Sequence, residues 1–578
     1  MKFNLEEFKN KIRPYWPWLI IIPVMIAFFA LSSTLNYKSQ TKDFVKWLSP
    51  DETANYTVAK LYAETRSLAF FEKYNLVSMD IIHPRSFRSD WGLIKPVSFL
   101  GLPIYYGKIA RVFGIGVLPY LTPIIGALGL AFFYLLVKRI FGKSNALIST
   151  LIAAGFPVYI YFSSRSMFHN ILFMAAIIAG LYFAVRMSEQ KKDATSHLKK
   201  HYLGYIFALC SGLCVGLALT ARTSELLWVG PLFGVLWLFN IRQIGIVRLF
   251  FFAYGIFAAF FPIVYWNSVL YGSLFSSGYP ELNNSLFALQ QNGSALASTA
   301  AAGKFAELRT LLGNIKATIF HFGFKPSQSY LMFTRYVHEM FPWLYWSAIA
   351  GVVLFLTSIK QYSKERWLFV LAWLSVSIIL VLYYGSWIFY DNPDPKSFTI
   401  GNSYTRYWLP LYFGAIPMAS LALIKITGLL KNTAAIWAVR AIALTVVITL
   451  SIQFVWNDPA EGLSVSIQKQ NESRNEFKQV LEATESNAVI ITRYHDKLLF
   501  PERKVVIGLF NDPTMIVEYA HIAARAPIYY YNFSYKPEDL DYLNNGLLKE
   551  NGVSLIEIKP ITERFTLYKL ELNETKED

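Results

Sequence analysis

Two carboxylates and three arginines hold most of the chemistry this sequence can offer. Asp51 and Glu52 stand side by side in Ser49-Pro50-Asp51-Glu52. An ionised carboxylate can take the proton of a hydroxyl as that hydroxyl attacks an electrophile. The same four residues also spell a helix start, with Ser at the cap, Pro at the first helical position and Glu three after the cap. Local sequence leaves both roles open. Arg165 lies in SSRSMFHN, Arg222 in ARTSELLW and Arg406 in NSYTRYWLP. A guanidinium keeps its charge and grips phosphate through parallel N–H donors; each of the three also reads as an interfacial anchor. Lys95 is a further cation for a phosphate, and His83, Arg85, Tyr407, His338 and Glu339 are further candidate ligand contacts. No His-Glu-x-x-His pair, Cys/His cluster or phosphate-cradling Gly-Lys-Ser/Thr loop occurs. No cofactor is therefore expected, with a divalent metal as the alternative. Cys210 and Cys214, four apart in one apolar run, read as packing residues.

The elements that must position these groups are membrane helices. Hydrophobic residues make up 54% of the 578 and charged residues 16%, against about 25% charged in a typical soluble domain. Mean hydropathy is +0.35. Such a composition excludes an ordinary cytosolic enzyme, a disordered chain and a fibrous one. About 20 apolar residues cross a bilayer as a helix. That predicts eleven spans, at 17–35, 117–137, 146–162, 169–185, 203–221, 225–240, 249–269, 341–358, 367–386, 407–424 and 434–455.

Charge orients them. With the N-terminus inside, the short cytoplasmic segments 1–16, 138–145, 186–202, 241–248, 359–366 and 425–433 hold 19 Lys or Arg against 5 Asp or Glu. They carry +14 of the net +16, the asymmetry of the positive-inside rule. The long polar segments then all lie outside, with Asp51 and the three arginines at the outer surface. The expected localisation is the cell membrane, multi-pass, with a cytoplasmic N-terminus and an extracytoplasmic C-terminal domain.

The fold class expected is an α-helical polytopic membrane protein with a small C-terminal α/β domain. Residues 1–455 form the membrane domain, with outer loops 36–116, 270–340 and 387–406, and 456–578 the soluble domain. In the first outer loop the spacing predicts a helix over 52–72. Residues 97–113, interrupted by Gly101, Pro103, Lys108 and Arg111, read as an interfacial helix. A helical run is expected around 303–318. The tail alternates helices near 467–484, 512–524 and 537–549 with strands at 488–492, 504–508, 527–531, 554–559 and 565–572, which predicts a mostly parallel sheet.

In this order the elements resemble the GT-C superfamily of integral-membrane glycosyltransferases, and within it the protein O-mannosyltransferase-like and lipid A aminoarabinose transferase-like group. The resemblance spans roughly residues 15–455. It is carried by Pro50-Asp51-Glu52 after the first span, His83-Pro84-Arg85-Ser86 with the Pro96–Gly107 segment, Arg165 before the fourth span, Tyr271-Gly272-Ser273 to Gly278-Tyr279, and Arg406-Tyr407-Trp408-Leu409-Pro410. The chain departs at Asn170, where many relatives carry a second acidic residue; a two-carboxylate or metal-dependent site is thereby put in doubt.

The resemblance implies a polyprenyl-phosphate-linked sugar as donor. It implies a protein, lipid or glycan acceptor hydroxyl, and transfer with inversion on the extracytoplasmic face. Asp51 is then the general base, with Glu52 mainly capping its helix. Arg406, with Arg222, Arg165 and Lys95, meets the donor phosphate. One base and one cationic leaving-group site suffice for a single displacement, unlike the paired carboxylates of a glycosidase. The bilayer is a partner and nucleic acid is not. Two other readings remain. One is an oligosaccharyl transferase or polymer ligase using a lipid-linked glycan; the oligosaccharyl transferase is expected to carry more acidic metal ligands outside and a Trp-Trp-Asp motif, which this chain lacks. A lipid or sugar transporter without catalysis is expected to show repeats and midplane charges.

Overall fold

The computed structural model describes residues 16–189, 197–274, 276–279, 320, 323–357, 362–394 and 396–573. The helical run expected around 303–318 lies outside them. Helices occur at all eleven expected places, and eight are long and apolar enough to cross a bilayer. These are Trp18–Ser39, Ile115–Phe141, His169–Ser188, Tyr202–Ala221, Ile241–Tyr271, Lys364–Gly385, Leu409–Thr427 and Thr433–Asn457.

The other three are not straight spans. The third is broken into Lys143–Ala154 and Pro157–Ser164, bent by 53°. Proline lacks an N–H and pushes the residue before it out of the helical region; Phe156, preceding Pro157, is extended at φ −71°, ψ 124°. The eighth is one arm of a 97° elbow between Pro326–Glu339 and Pro342–Leu356, broken before Pro342, where Phe341 leaves the helical region at φ −130°, ψ 58°. The sixth is Leu226–Phe239, 14 residues, which at 1.5 Å per residue reach about 21 Å, short of the ~30 Å hydrocarbon core.

The chain divides into two compact units: Met1–Thr34 with Phe99–Gly101 and Tyr120–Val465, and Leu35–Ser98 with Leu102–Pro119 and Ser466–Asp578. The first unit is built of the membrane helices. Tyr202–Ala221 and Ile241–Tyr271 approach until a Cβ at Gly212 would lie 2.0 Å from the Phe252 carbonyl oxygen. Gly212 and Gly216 sit four apart on that face, the small-residue spacing that lets membrane helices touch backbone to backbone.

The second unit combines the first outer segment with the tail. In the outer segment, the helix Pro50–Thr65 is followed by strands β1 (Phe70–Phe71), β2 (Phe87–Asp90) and β3 (Leu93–Pro96), an antiparallel sheet in the order β1-β3-β2. The 97–113 segment forms a 13-residue helix, Gly101–Phe113. The tail strands β4 (Val489–Thr492), β5 (Lys504–Ile507), β6 (Ile528–Phe533), β7 (Val553–Pro560) and β8 (Phe565–Leu572) run in the order β5-β4-β6-β8-β7. Only β5-β4 and β4-β6 are parallel. The expected mostly parallel sheet is therefore mixed. β7 and β8 are joined by four residues, too few for a crossover, so they pair as a hairpin and β8 returns antiparallel to β6. The core of the unit joins Val489, Ile491, Val506, Ile528 and Tyr530 to Ile82 of the outer segment.

Candidate active site

Arg165, Arg222 and Arg406 each stand where one helix ends and another begins. Arg165 caps Pro157–Ser164, Arg222 follows the helix ending at Ala221, and Arg406 is in the short turn Ser403–Tyr407 before Leu409–Thr427. Two aromatic rings join them. The Arg165 guanidinium lies 5.4 Å from the Phe168 ring centre and that of Arg406 lies 4.5 Å from it. The Tyr407 ring is 5.2 Å from Arg406 and 4.3 Å from Arg222. Guanidinium and ring thus alternate along Arg165, Phe168, Arg406, Tyr407 and Arg222, each ring face attracting the charge beside it. Met167, at φ +71°, turns the chain just before Phe168 in a conformation L residues seldom adopt.

The arginines differ in what else holds them. Arg222 is buried and carries its own counter-charge. Its Nε donates to Glu225 Oε1 at 2.9 Å, and its Nη2 donates to the Tyr384 hydroxyl at 3.0 Å. Glu225, also buried, accepts further from Trp228 Nε1 at 2.6 Å and from the Tyr384 hydroxyl. Arg406 has no carboxylate within ion-pair distance among the described residues. Its Nη2 donates to Ser403 Oγ at 2.7 Å, and Ser403 donates in turn, from N at 2.9 Å and from Oγ, to Asp391 Oδ2. Among the described residues its buried Nε–H has no hydrogen-bond partner. Asn170 donates to the Arg406 carbonyl at 3.3 Å. Asn170 thus lies against the Arg406 backbone, and its amide brings no charge to set against the guanidinium.

In the second unit Asp51 and Glu52 occupy the first turn of Pro50–Thr65. Ser49 is the N-cap and Pro50 the first helical residue, but the Ser49 side chain makes no cap hydrogen bond. Glu52 is fully buried, whereas Asp51 is half-buried. Asp51 Oδ1 accepts from Ser86 Oγ at 2.7 Å. Ser86 is itself in the left-handed region at φ +66°. The neighbouring Arg85 is engaged elsewhere: its backbone N donates to Asp496 Oδ2 at 2.8 Å, its Nε to Asp496 Oδ1 at 2.9 Å, and its Nη2 also pairs with that carboxylate. Lys46, just before the helix, is held by Glu502 at 2.6 Å. Burial pushes the Lys46 ammonium below its usual range, and Glu502 opposes that shift.

The remaining candidates sit as follows. Lys95 is buried on β3 and pairs with Asp90 at 2.6 Å. His83 Nδ1 lies 3.1 Å from the Pro84 carbonyl oxygen. His338 packs on the rings of Tyr345 and Trp346, and Glu339 is exposed and pairs with Arg335 at 3.1 Å. Among the described residues no group of three His, Cys, Asp or Glu side chains is placed to hold a metal ion. Sequence reasoning missed Glu225, Ser86, Phe168 and Asp496. Ser86 stood in the His83-Pro84-Arg85-Ser86 motif without a role, and Glu225 had a local signal, three residues after Arg222.

Residues 111–266 match the family described as dolichyl-phosphate-mannose-protein mannosyltransferase. No curated protein matches the chain in sequence. Solved structures do match in fold. The oligosaccharyltransferase of Archaeoglobus fulgidus, tethered to an acceptor peptide containing the NVT sequon, aligns with a TM-score of 0.53 at 12% identity, over 96% of this chain and 74% of that one. The AglB oligosaccharyltransferase of the same organism, with an inhibitory peptide and a dolichol-phosphate, gives 0.52 at 13% over 98% and 75%. ArnT from Cupriavidus metallidurans bound to undecaprenyl phosphate gives 0.51 at 11% over 96% and 98%. The fold is that of the GT-C membrane glycosyltransferases, as the motifs implied, and the chain is a multi-pass membrane protein.

Proposed function

We propose that this GT-C chain is a glycosyltransferase that moves a sugar from a polyprenyl-phosphate carrier to an acceptor hydroxyl on the extracytoplasmic face, with inversion. One observation carries the reading: Arg406, at the start of a membrane helix, keeps a charge that no carboxylate neutralises among the described residues. A lipid phosphate leaves its chain in the bilayer and its anion at the surface, where such a guanidinium suits it. Undecaprenyl phosphate and dolichol-phosphate on two structural neighbours support that ligand class.

In the proposed step the acceptor oxygen attacks the anomeric carbon. The bond from that carbon to the phosphate oxygen breaks, and polyprenyl phosphate leaves with the electron pair. The acceptor proton passes to the Asp51 carboxylate, which Ser86 orients. Arg406 stabilises the charge developing on the leaving phosphate, and Arg165 adds to the field from across Phe168. Arg222, neutralised by Glu225, holds Tyr407 against Arg406. The extracytoplasmic assignment rests on the +14 carried by the short segments of the opposite face.

Oligosaccharyl transfer from a lipid-linked glycan is the second reading, favoured by the archaeal neighbours. The donor separates the two. Purified protein in lipid is supplied with radiolabelled polyprenyl-phosphate monosaccharides and, separately, with lipid-linked oligosaccharides. The proposal expects single-turnover transfer from a monosaccharide donor, reduced about 10²–10⁴-fold in Asp51→Asn, the usual worth of a general base. Transfer from the oligosaccharide alone selects the second reading, and transfer from neither overturns both.

A further inference from the structure

The tail holds the loop of Asp51 from both sides, and it does so with one seven-residue segment. Asp496, fully buried, binds Arg85 through its backbone N–H and its guanidinium. The next residue, Lys497, donates from Nζ to the Leu48 carbonyl. Phe500 accepts from Lys46 Nζ at its carbonyl and packs its ring 5.3 Å from Phe87 and 5.5 Å from Phe70. Glu502 completes the grip on Lys46 at 2.6 Å. Residues 46 and 48 lead directly into Asp51, while residues 85 and 87 flank Ser86, which donates to it. The segment 496–502 therefore fixes the chain on either side of one hydrogen bond, Ser86 Oγ to Asp51 Oδ1.

Ser86 would not hold this geometry unaided. Its φ of +66° lies in the left-handed region, where a residue with a Cβ is strained and persists only when its neighbours over-determine it. The over-determination is visible: Arg85 on one side is bound by three donors to a single carboxylate, and Phe87 on the other is locked into β2 and against Phe500. A carboxylate that takes two guanidinium donors on one oxygen and a backbone N–H on the other is a rigid anchor.

We propose that Asp496 is a positioning residue for catalysis, acting through Arg85 and Ser86 to aim the Asp51 carboxylate, so that the tail domain is part of the catalytic machinery. The inference rests on the role assigned to Asp51 above. It goes further in giving the soluble domain a task and in making activity depend on a residue remote in sequence from every motif. A misplacement of about 1 Å at a reacting group can lower a rate roughly 10²-fold without touching substrate affinity. The expected signature is a loss in kcat with the donor KM kept.

The test compares full-length Asp496→Asn, Asp496→Glu and Asp51→Asn, purified in lipid and assayed for transfer from the polyprenyl-phosphate monosaccharide. Asp496→Asn should lower kcat by about 10- to 100-fold, with donor KM within about twofold of wild type. Asp496→Glu keeps the charge and should recover most of that loss. Wild-type kcat in Asp496→Asn, a loss confined to KM, or no recovery by Glu while Asp51→Asn is inactive each overturns the positioning role alone. Asp51→Asn at wild-type rate instead removes the general-base reading beneath it. If Asp496→Asn does not fold, Arg85→Lys, whose side chain is 40% exposed, carries the same comparison. Lysine keeps a charge but cannot make the fork, so kcat should fall with KM unchanged, and an unchanged kcat overturns the proposal.

Discussion

Arg222 and Arg406 share the Tyr407 ring, at 4.3 and 5.2 Å from its centre, and they have little else in common. Around Arg222 the protein has supplied a carboxylate, a tyrosine hydroxyl and a tryptophan N–H bound to that carboxylate. Around Arg406 it has supplied a serine, two rings and an amide against its backbone. A buried charge is tolerated only when paired and hydrogen-bonded; the first arginine meets that condition from within the chain. The second is steered toward its place but not neutralised, because the acid nearest its relay, Asp391, binds Ser403 instead. What separates the two arginines is that one already has its anion, and on the reading proposed above the other is kept for a ligand's.

The comparison can be broken most forcibly at Glu225. Glu225→Gln leaves the Arg222 charge buried without a counter-ion, and removing one partner of a buried pair costs about 3–5 kcal/mol. A thermal melt of the purified protein in lipid should show a large loss of stability; an unchanged melt would mean that Arg222 is not held by this pair. A smaller effect is expected at Phe168, the ring shared by Arg165 and Arg406. Phe168→Leu keeps the bulk and loses two cation–π contacts, each about 0.5–1 kcal/mol, up to ~2 where desolvated. Donor KM should rise by roughly threefold to thirtyfold with the melt little changed. The smallest effect belongs to Ser403→Ala, which removes one hydrogen bond to the Arg406 fork, about 0.5–1.5 kcal/mol. A rise of severalfold in donor KM is expected. If Ser403→Ala affects stability more than KM, the Asp391–Ser403–Arg406 chain serves the fold rather than the ligand.

Membrane helices are legible in sequence because the bilayer imposes one length and one polarity on each, and every expected span falls on a helix. The breaks at Pro157 and Pro342 are less legible. A proline inside an apolar run marks a possible kink without giving its angle. The tail's strands were readable from their β-branched and aromatic runs, but not the direction in which β8 would pair. The candidate site divides the same way. Arg165, Arg222, Arg406 and Asp51 stand out because charged residues at helix ends are conspicuous among apolar spans. Their partners do not: Asp496 is 411 residues from Arg85, and no local pattern announces a contact at that separation. Glu225 was within reach, since a Glu three residues after an Arg shares its helical turn, yet an arginine paired with a carboxylate and one without look alike until the pair is seen.

The most direct test of the account is the affinity of the purified protein for a polyprenyl phosphate, measured in lipid for wild type and Arg406→Lys. Lysine retains the positive charge and loses the planar fork. Charge-assisted hydrogen bonds are worth about 1.5–3 kcal/mol, so binding should weaken about 10- to 100-fold while the thermal melt stays at the wild-type position. Wild-type affinity in Arg406→Lys, or weakened binding that merely tracks a destabilised fold, would contradict the claim that the planar fork of Arg406 is held for a lipid phosphate.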